Sequence, residues 1–306
     1  MPVAVVAVPL LALAVAACGD DDGAAGASGD RPHVVVTTNV LGDVVSELVG
    51  DEADVEVIMP PGVAPHEFQA SAEQVAAMRD ADVLITNGAG FEEGLTETIE
   101  AAEQDGVPTF AAIDAVDTLQ LEGDGGTDPH FFTDPARMAA AAQGIADFIV
   151  EEVPGLDTPA FARQGGTTVD ELHALDAEVE RTLSVVPGNR RTLVTNHEVF
   201  GYFADRYGFD VVGAVIPAGT TQAEPSAEQL DELAHTIEEQ HVPAIFVETS
   251  SPTRLADALA DEVGDVDVVE LFSESLGDEG SGGETYAAMM RTNAMRIADA
   301  LTGASP

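Results

Sequence analysis

The sequence predicts an α/β protein of two lobes, each a parallel sheet flanked by helices, joined by one long interlobe helix. Two observations carry that expectation. Short β-branched runs without polar alternation recur along the chain, separated by segments of helical period, as in parallel strands covered on both faces. Midway lies a helical pattern much longer than its neighbours, with strand candidates on either side of it.

Four strand candidates precede that pattern, at residues 33–38, 55–59, 83–86 and 109–112, and four follow it, at 192–195, 211–215, 244–248 and 267–271. Helix starts between them are readable from their caps. Ser71-Ala72-Glu73-Gln74 is a capping-box pattern. Asp134-Pro135 and Ser251-Pro252 each set a cap before a proline at the first helical position. The tetrapeptide Ser-Ala-Glu-Gln recurs at 226–229, and each copy leads into an apolar strand, as expected of two similar halves. Between the halves, residues 157–186 hold no proline after Pro159, and Val169, Leu172, Leu175, Val179 and Leu183 fall at helical spacing. A helix of about 28 residues spans about 40 Å. Gly165-Gly166 weakens it by about 1 kcal/mol per glycine relative to alanine, and Pro187-Gly188-Asn189 ends it. The expected layout is an N-terminal lobe over 32–154, an interlobe helix over 155–187 and a C-terminal lobe over 188–306.

The first residues read as an address. Residues 3–17 are an unbroken apolar run of 15, short of the about 20 that span a bilayer, so 1–17 reads as a secretory signal peptide. The run closes on Val15-Ala16-Ala17-Cys18-Gly19, which resembles a lipobox, where the signal is cut before the cysteine and the thiol takes lipid. Residues 18–31 then form a lipidated flexible tether. No Lys or Arg precedes the apolar run. The expected location is extracytoplasmic, lipid-anchored to the outer face of the cytoplasmic membrane, or periplasmic.

Composition narrows the function classes. In 306 residues there are 56 acidic side chains against 11 basic ones, all Arg, for a net charge of −45. Phosphate contacts need clustered positive charge, so a nucleic-acid partner is excluded, as is docking on anionic lipid head groups. The single cysteine excludes an internal disulfide, a zinc ribbon and an iron–sulfur cluster. A metal site would have to use His, Asp and Glu. With 45% apolar residues the chain can still bury an ordinary core.

In open parallel sheets, ligands bind beyond the carboxyl ends of the strands. Four residues of ligand type fall there. His66 follows the second strand through Pro60-Pro61-Gly62-Val63-Ala64-Pro65; His197 follows Thr195-Asn196; Glu274 follows Phe272-Ser273; His130 sits in Asp128-Pro129-His130, just before a helix. Two come from each half. Three imidazoles and a carboxylate suit a borderline ion such as Zn²⁺ in a closed tetrahedron. Glu198, Glu248, Glu67 and Asp134 are candidates to orient these ligands, although solvation or helix capping accounts for Glu67 and Asp134 as well. His33, His173, His235 and His241 read as strand, helix-surface or loop residues.

Taken in order, these residues resemble the metal-binding lipoproteins of ABC transporters for zinc and manganese, the cluster A-I or class III solute-binding proteins. The matching segments are Val36-Thr37-Thr38-Asn39-Val40-Leu41-Gly42-Asp43, Pro65-His66-Glu67-Phe68-Gln69, Asp128-Pro129-His130, Thr195-Asn196-His197-Glu198-Val199-Phe200-Gly201-Tyr202-Phe203, Glu224-Pro225-Ser226, Ile245-Phe246-Val247-Glu248 and Glu284-Thr285-Tyr286 through Asn293. The resemblance implies a metal held between two lobes by His66, His130, His197 and Glu274. The family usually has Asp at the last position; here the segment is Phe272-Ser273-Glu274-Ser275-Leu276, which leaves Glu248 or water as alternatives for the fourth ligand.

The resemblance also implies that His at the third position marks zinc binders and Glu marks manganese binders. His197 therefore favours Zn²⁺, with Mn²⁺ or iron as the alternative, and imidazole-rich sites suit zinc on chemical grounds too. The expected function is capture of the ion and delivery to an ABC permease by a monomer that touches the membrane only through its lipid. No catalytic residue is expected: there is no HExxH motif, and a closed shell suits capture rather than hydrolysis. A zinc hydrolase and a metal-binding surface adhesin are the rival classes.

Overall fold

A computed structural model describes Met1, residues 31–121 and residues 126–303. The signal segment, Cys18 and nearly all of the tether lie outside the described residues. The first half runs β1 (His33–Val36), α1 (Asn39–Val49), β2 (Asp54–Val57), α2 (Ala72–Asp80), β3 (Val83–Thr86), α3 (Thr96–Gln104), β4 (Thr109–Ala111) and α4 (Pro135–Glu152). The long helix α5 (Pro159–Leu183) follows. The second half runs β5 (Thr192–Thr195), α6 (Gly201–Tyr207), β6 (Asp210–Ala214), α7 (Ala227–Gln240), β7 (Ala244–Glu248), α8 (Arg254–Val263), β8 (Asp267–Leu271) and α9 (Tyr286–Thr302).

Each half folds its four strands into one parallel sheet. The orders are β2-β1-β3-β4 and β6-β5-β7-β8, the same winding twice. The third strand of each half, β3 or β7, is buried along its whole length, as its uninterrupted apolar sequence requires. The repeated Ser-Ala-Glu-Gln falls at equivalent places: Ser71 and Ser226 each close a capping box with Gln74 or Gln229, and the two helices so opened lead into β3 and β7. The recurrence therefore marks one structural step made twice.

Every strand candidate is a strand: four match end to end, and the other four differ by one or two residues at an end. β1 ends at Val36, although the Thr37 main chain still bonds Ile85 and Met59; Thr38 then caps α1 by accepting from Leu41 N–H, and the Thr37 hydroxyl donates to Glu92 at 2.6 Å. The start expected at Ser251-Pro252 is corrected. Helix α8 begins at Arg254 after Thr253, and the Ser251 hydroxyl bonds the Glu248 carboxylate instead of a helix N–H. The acceptor at the end of β7 draws it away from capping.

Helix α5 runs 25 residues, about 38 Å. Thr158 caps it and Pro159 opens it, so it starts two residues later than the apolar period alone indicates. Gly165 and Gly166 stay helical, and Gly165 is buried facing Ala146 on α4, where an added Cβ would make an ordinary contact. Phe161, Leu172, Leu175, Val179 and Leu183 turn inward at helical spacing.

The apolar core explains how stiffly the lobes are joined. The outer face of each sheet has its own cluster: Val35, Leu84, Met78 and Val107 under α2 and α3, and Val194, Ile245, Val247 and Leu259 under α7 and α8. The inner faces share one cluster, which takes in Val34, Val83 and Ile85 from the first sheet, Leu193 and Phe246 from the second, and α4, α5 and α9 between them. The lobes thus meet through a continuous core, and α5 is its spine.

One buried carboxylate pins the first half. Glu92, 3% exposed, accepts from the Thr37 hydroxyl, from Asn87 N–H and from Gly88 N–H at 3.2 Å. The Asn87 side chain in turn donates to the carbonyl of Pro129, the residue before His130, at 2.9 Å. Replacing Glu92 with alanine strands three buried donors and is expected to lower unfolding stability by about 2 kcal/mol. The denaturant midpoint checks this, and an unchanged midpoint would refute it.

Candidate metal centre

Four loops at the carboxyl ends of the strands converge. His66 sits in a short 3₁₀ turn (Pro65–Glu67) after β2, His130 just before a second such turn, His197 one residue past Asn196 after β5, and Glu274 after β8. All four are buried, at 1%, 0%, 0% and 1% exposure. Each offers one ligand-type atom, and these atoms lie within 4.8 Å of one another. The Nε2 atoms of His66, His130 and His197 stand 2.9, 3.2 and 3.0 Å from a single oxygen, Glu274 Oε1. Among the described residues this is the sole cluster of three or more His, Cys, Asp or Glu able to hold a metal.

Local bonding sets each side chain. Glu274 is bracketed on both sides. Asn293 of α9 bonds both the N–H and the carbonyl of Phe272, at 3.0 and 2.8 Å. Asn39 accepts from Leu276 N–H at 2.7 Å and donates to the Ser275 hydroxyl at 3.1 Å. His197 has its carbonyl held by the Thr195 hydroxyl at 2.7 Å. Phe91 stands edge-on to both His66 and His130, with centroids 5.2 and 5.7 Å away, and gives the site an apolar wall.

Behind each imidazole stands a carboxylate, held with decreasing firmness. His130 Nδ1 lies 2.7 Å from buried Asp128 Oδ1, which also accepts from His130 N–H at 3.0 Å. His66 Nδ1 lies 3.2 Å from Glu93 Oε1, whose side chain is 39% exposed. His197 Nδ1 lies 4.0 Å from Glu248 Oε2. Glu248 accepts from Ser273 at 3.1 Å and from Ser251. For His130 the hydrogen bond to Asp128 fixes ring tautomer and orientation, whereas Nδ1 of His66 and of His197 is buried without a hydrogen bond.

Asp128 and Glu93 were not singled out in the sequence. Asp128 has a local signal, an acid two residues before a histidine across a proline. Glu93 has none, because it meets His66 through the fold. Glu198 is half-buried, with its N–H on the Ala218 carbonyl at 2.9 Å, and its side chain is not one of the four. Glu67 is exposed. Asp134 caps α4 through Ala136 N–H at 2.8 Å and pairs with Arg137. His33 pairs with Glu56, His173 is exposed on α5, His235 is exposed on α7, and His241 closes α7 in a left-handed conformation.

The charges are tightly coupled. Burial opposes protonation of His66 and His130, yet their hydrogen bonds to Glu274, and for His130 to Asp128, raise both above the usual imidazole value. Burial works against the Glu274 carboxylate, but the three imidazoles hold it well below the usual carboxylate range. Burial and the neighbouring Glu274 charge push Glu248 up to about 7. Three nitrogens and one or two oxygens converging in a buried pocket match the donor set of a borderline divalent ion.

Known proteins align over nearly the whole chain. A manganese-binding lipoprotein, MntA, of Halalkalibacterium halodurans is 30% identical over 285 residues, 93% of each chain. The zinc-binding protein TroA of Treponema pallidum is 33% identical over 282 residues, 90% of each. The solved structure of the periplasmic zinc-binding TroA of T. pallidum superposes with a TM-score of 0.82 at 32% identity, covering 89% of this chain and 99% of that one. The family model of the zinc-uptake complex component A, periplasmic, matches residues 34–300. With two parallel sheets, a shared spine and that match over most of its length, the chain belongs to the ZnuA family of metal-binding solute-binding proteins.

Proposed function

We propose that this protein captures Zn²⁺ outside the cytoplasm with His66, His130, His197 and Glu274 and hands it to the permease of an ABC transporter. Its family is one of solute-binding proteins of ABC transporters for metals, not of enzymes. The observation that carries the choice of residues is the convergence of three Nε2 atoms on one carboxylate oxygen in a buried pocket. The donor set supports zinc over manganese, because Mn²⁺ favours more oxygen ligands and Zn²⁺ accepts imidazole. Relatives named for each metal make Mn²⁺ the second reading.

In this reading the ion is cargo, and the site must both hold and release it. The shared core through α5 resists wide opening of the lobes, so release proceeds by local movement of the ligand loops. Cys18 carries the lipid, and the chain works as a monomer. Relatives named as lipoproteins support the anchor, and no helix of the described residues is long and apolar enough to cross a membrane.

A competition titration of metal-stripped protein with Zn²⁺ and Mn²⁺ tests the reading, followed by thermal shift and elemental analysis. One equivalent of Zn²⁺ retained against excess Mn²⁺ is the expected result. Retention of Mn²⁺ instead would overturn the metal, and retention of neither would overturn the function.

A further inference from the structure

Of the four converging residues, His66 is the one whose neighbouring carboxylate reaches solvent: its own Nδ1 is buried, but Glu93 beside it is 39% exposed. The carboxylates behind His130 and His197 are buried, whereas His66 lines a surface pocket of about 480 Å³ together with Glu67, Gln69, Glu93, Gly94 and Gln222. Across that pocket the second half reaches the first. The Gln222 side-chain amide, from the loop between β6 and α7, donates to the His66 carbonyl at 2.6 Å and to Glu93 Oε2 at 3.0 Å. The other oxygen of the same carboxylate faces His66 Nδ1 at 3.2 Å. Glu93 therefore touches the imidazole with one oxygen and the opposite lobe with the other.

The backbone is built to bring Glu93 this close. Gly94 packs against the Phe68 carbonyl so tightly that a Cβ there would collide with main-chain atoms. The turn bearing Glu93 (Glu93–Leu95) and the turn bearing His66 are thus held side by side. The far end of the His66 loop has a separate tie, from Gly62 N–H to the Ser275 hydroxyl at 2.8 Å. Gln222 is the only described residue of the second half that bonds His66 through its main chain, and it does so from an exposed loop.

We infer that Glu93 and Gln222 form a latch that sets how fast the ion leaves, by holding His66 in the ligand position until the loop carrying Gln222 moves. The inference rests on the metal-capture reading and adds to it a pair of positioning residues and an exit side. An ion held by four groups leaves by losing them in turn. The first to go is the one whose supports are solvent-reachable and hydrogen-bonded rather than packed. Here that is His66, and the face it opens is the one where a partner could displace Gln222.

The test loads wild type and variants with one equivalent of Zn²⁺ and follows transfer to excess chromogenic chelator by stopped flow. Gln222→Ala and Glu93→Ala should each speed release about tenfold, and the double variant no further, because the two act as one unit. Glu93→Gln, which keeps an acceptor for Gln222, should stay within about threefold of wild type. Glu178→Ala, on a surface pair with Arg291 far along α5, should release as wild type does. Metal-free melting temperatures of all variants within about 2 °C of wild type would separate the latch from loss of fold. An unchanged rate in either alanine variant, or rates that multiply in the double variant, would overturn the latch while leaving metal capture intact. Wild type that takes up no metal would overturn both.

Discussion

Replacing His197 with alanine is expected to weaken Zn²⁺ binding by more than about 100-fold. Removing a group that only orients a metal ligand typically weakens binding 10- to 100-fold, so removal of the ligand itself lies above that range. His197 contributes an Nε2 atom 3.0 Å from Glu274 Oε1 from a fully buried position. His66→Ala and His130→Ala should fall in the same range, and His173→Ala, exposed on α5, should bind as wild type does. Chelator competition at fixed pH measures this directly. The same loss appears in thermal unfolding: a ligand at about 1,000 times its Kd adds about 4 kcal/mol to the folded state, and a variant about 100-fold weaker should keep no more than about 1.4 kcal/mol of it. Affinity within about threefold of wild type for His197→Ala would remove that residue from the ligand set.

These residues could be read in advance because the rules that place them are local. His197 and Glu274 follow apolar runs within a few residues, His66 follows one through a proline-rich loop and His130 precedes a helix start, and parallel winding gathers those loops on one side. Fold class and the four converging residues follow from such steps. The acids behind the imidazoles follow only in part: Glu248, at the end of a strand, is legible as a candidate, whereas Asp128 and Glu93 are not. With 56 carboxylates in the chain, proximity in sequence selects Glu67 and Asp134, which turn out to be exposed or capping a helix. The groups that meet the rings are Asp128, Glu93 and Glu248, and two of those arrive from other elements. The start of α8 slipped for a related reason: Ser251 has the composition of a cap, but the buried Glu248 carboxylate claims its hydroxyl.

The pH dependence of the site should run in opposite directions with and without metal. For the metal-free protein, His66 and His130 have folded values raised above 6.5, so the stability they contribute is complete below 6.5 and is lost as pH rises through those higher values. Glu248, raised from 4.5 to about 7, acts in the same sense: its folded form binds the proton more tightly, and stability drains away between those two values. Glu274 is depressed, so its contribution is present above 4.5 and fails only as pH falls through its lower folded value. The metal-free protein is thus favoured on the acid side of neutrality and weakens toward pH 8. Metal binding demands the reverse, because the raised His66 and His130 must be deprotonated at Nε2 before they can ligate. Zn²⁺ affinity should therefore keep climbing well above pH 6.5 instead of levelling off there, as it would for unperturbed histidines. Melting temperatures from pH 5.5 to 8.5 at constant ionic strength, with and without one equivalent of Zn²⁺, should show the metal-free value falling and the metal-induced increment growing. An increment independent of pH would mean that no buried imidazole proton is displaced, and the three-histidine site would have to be abandoned.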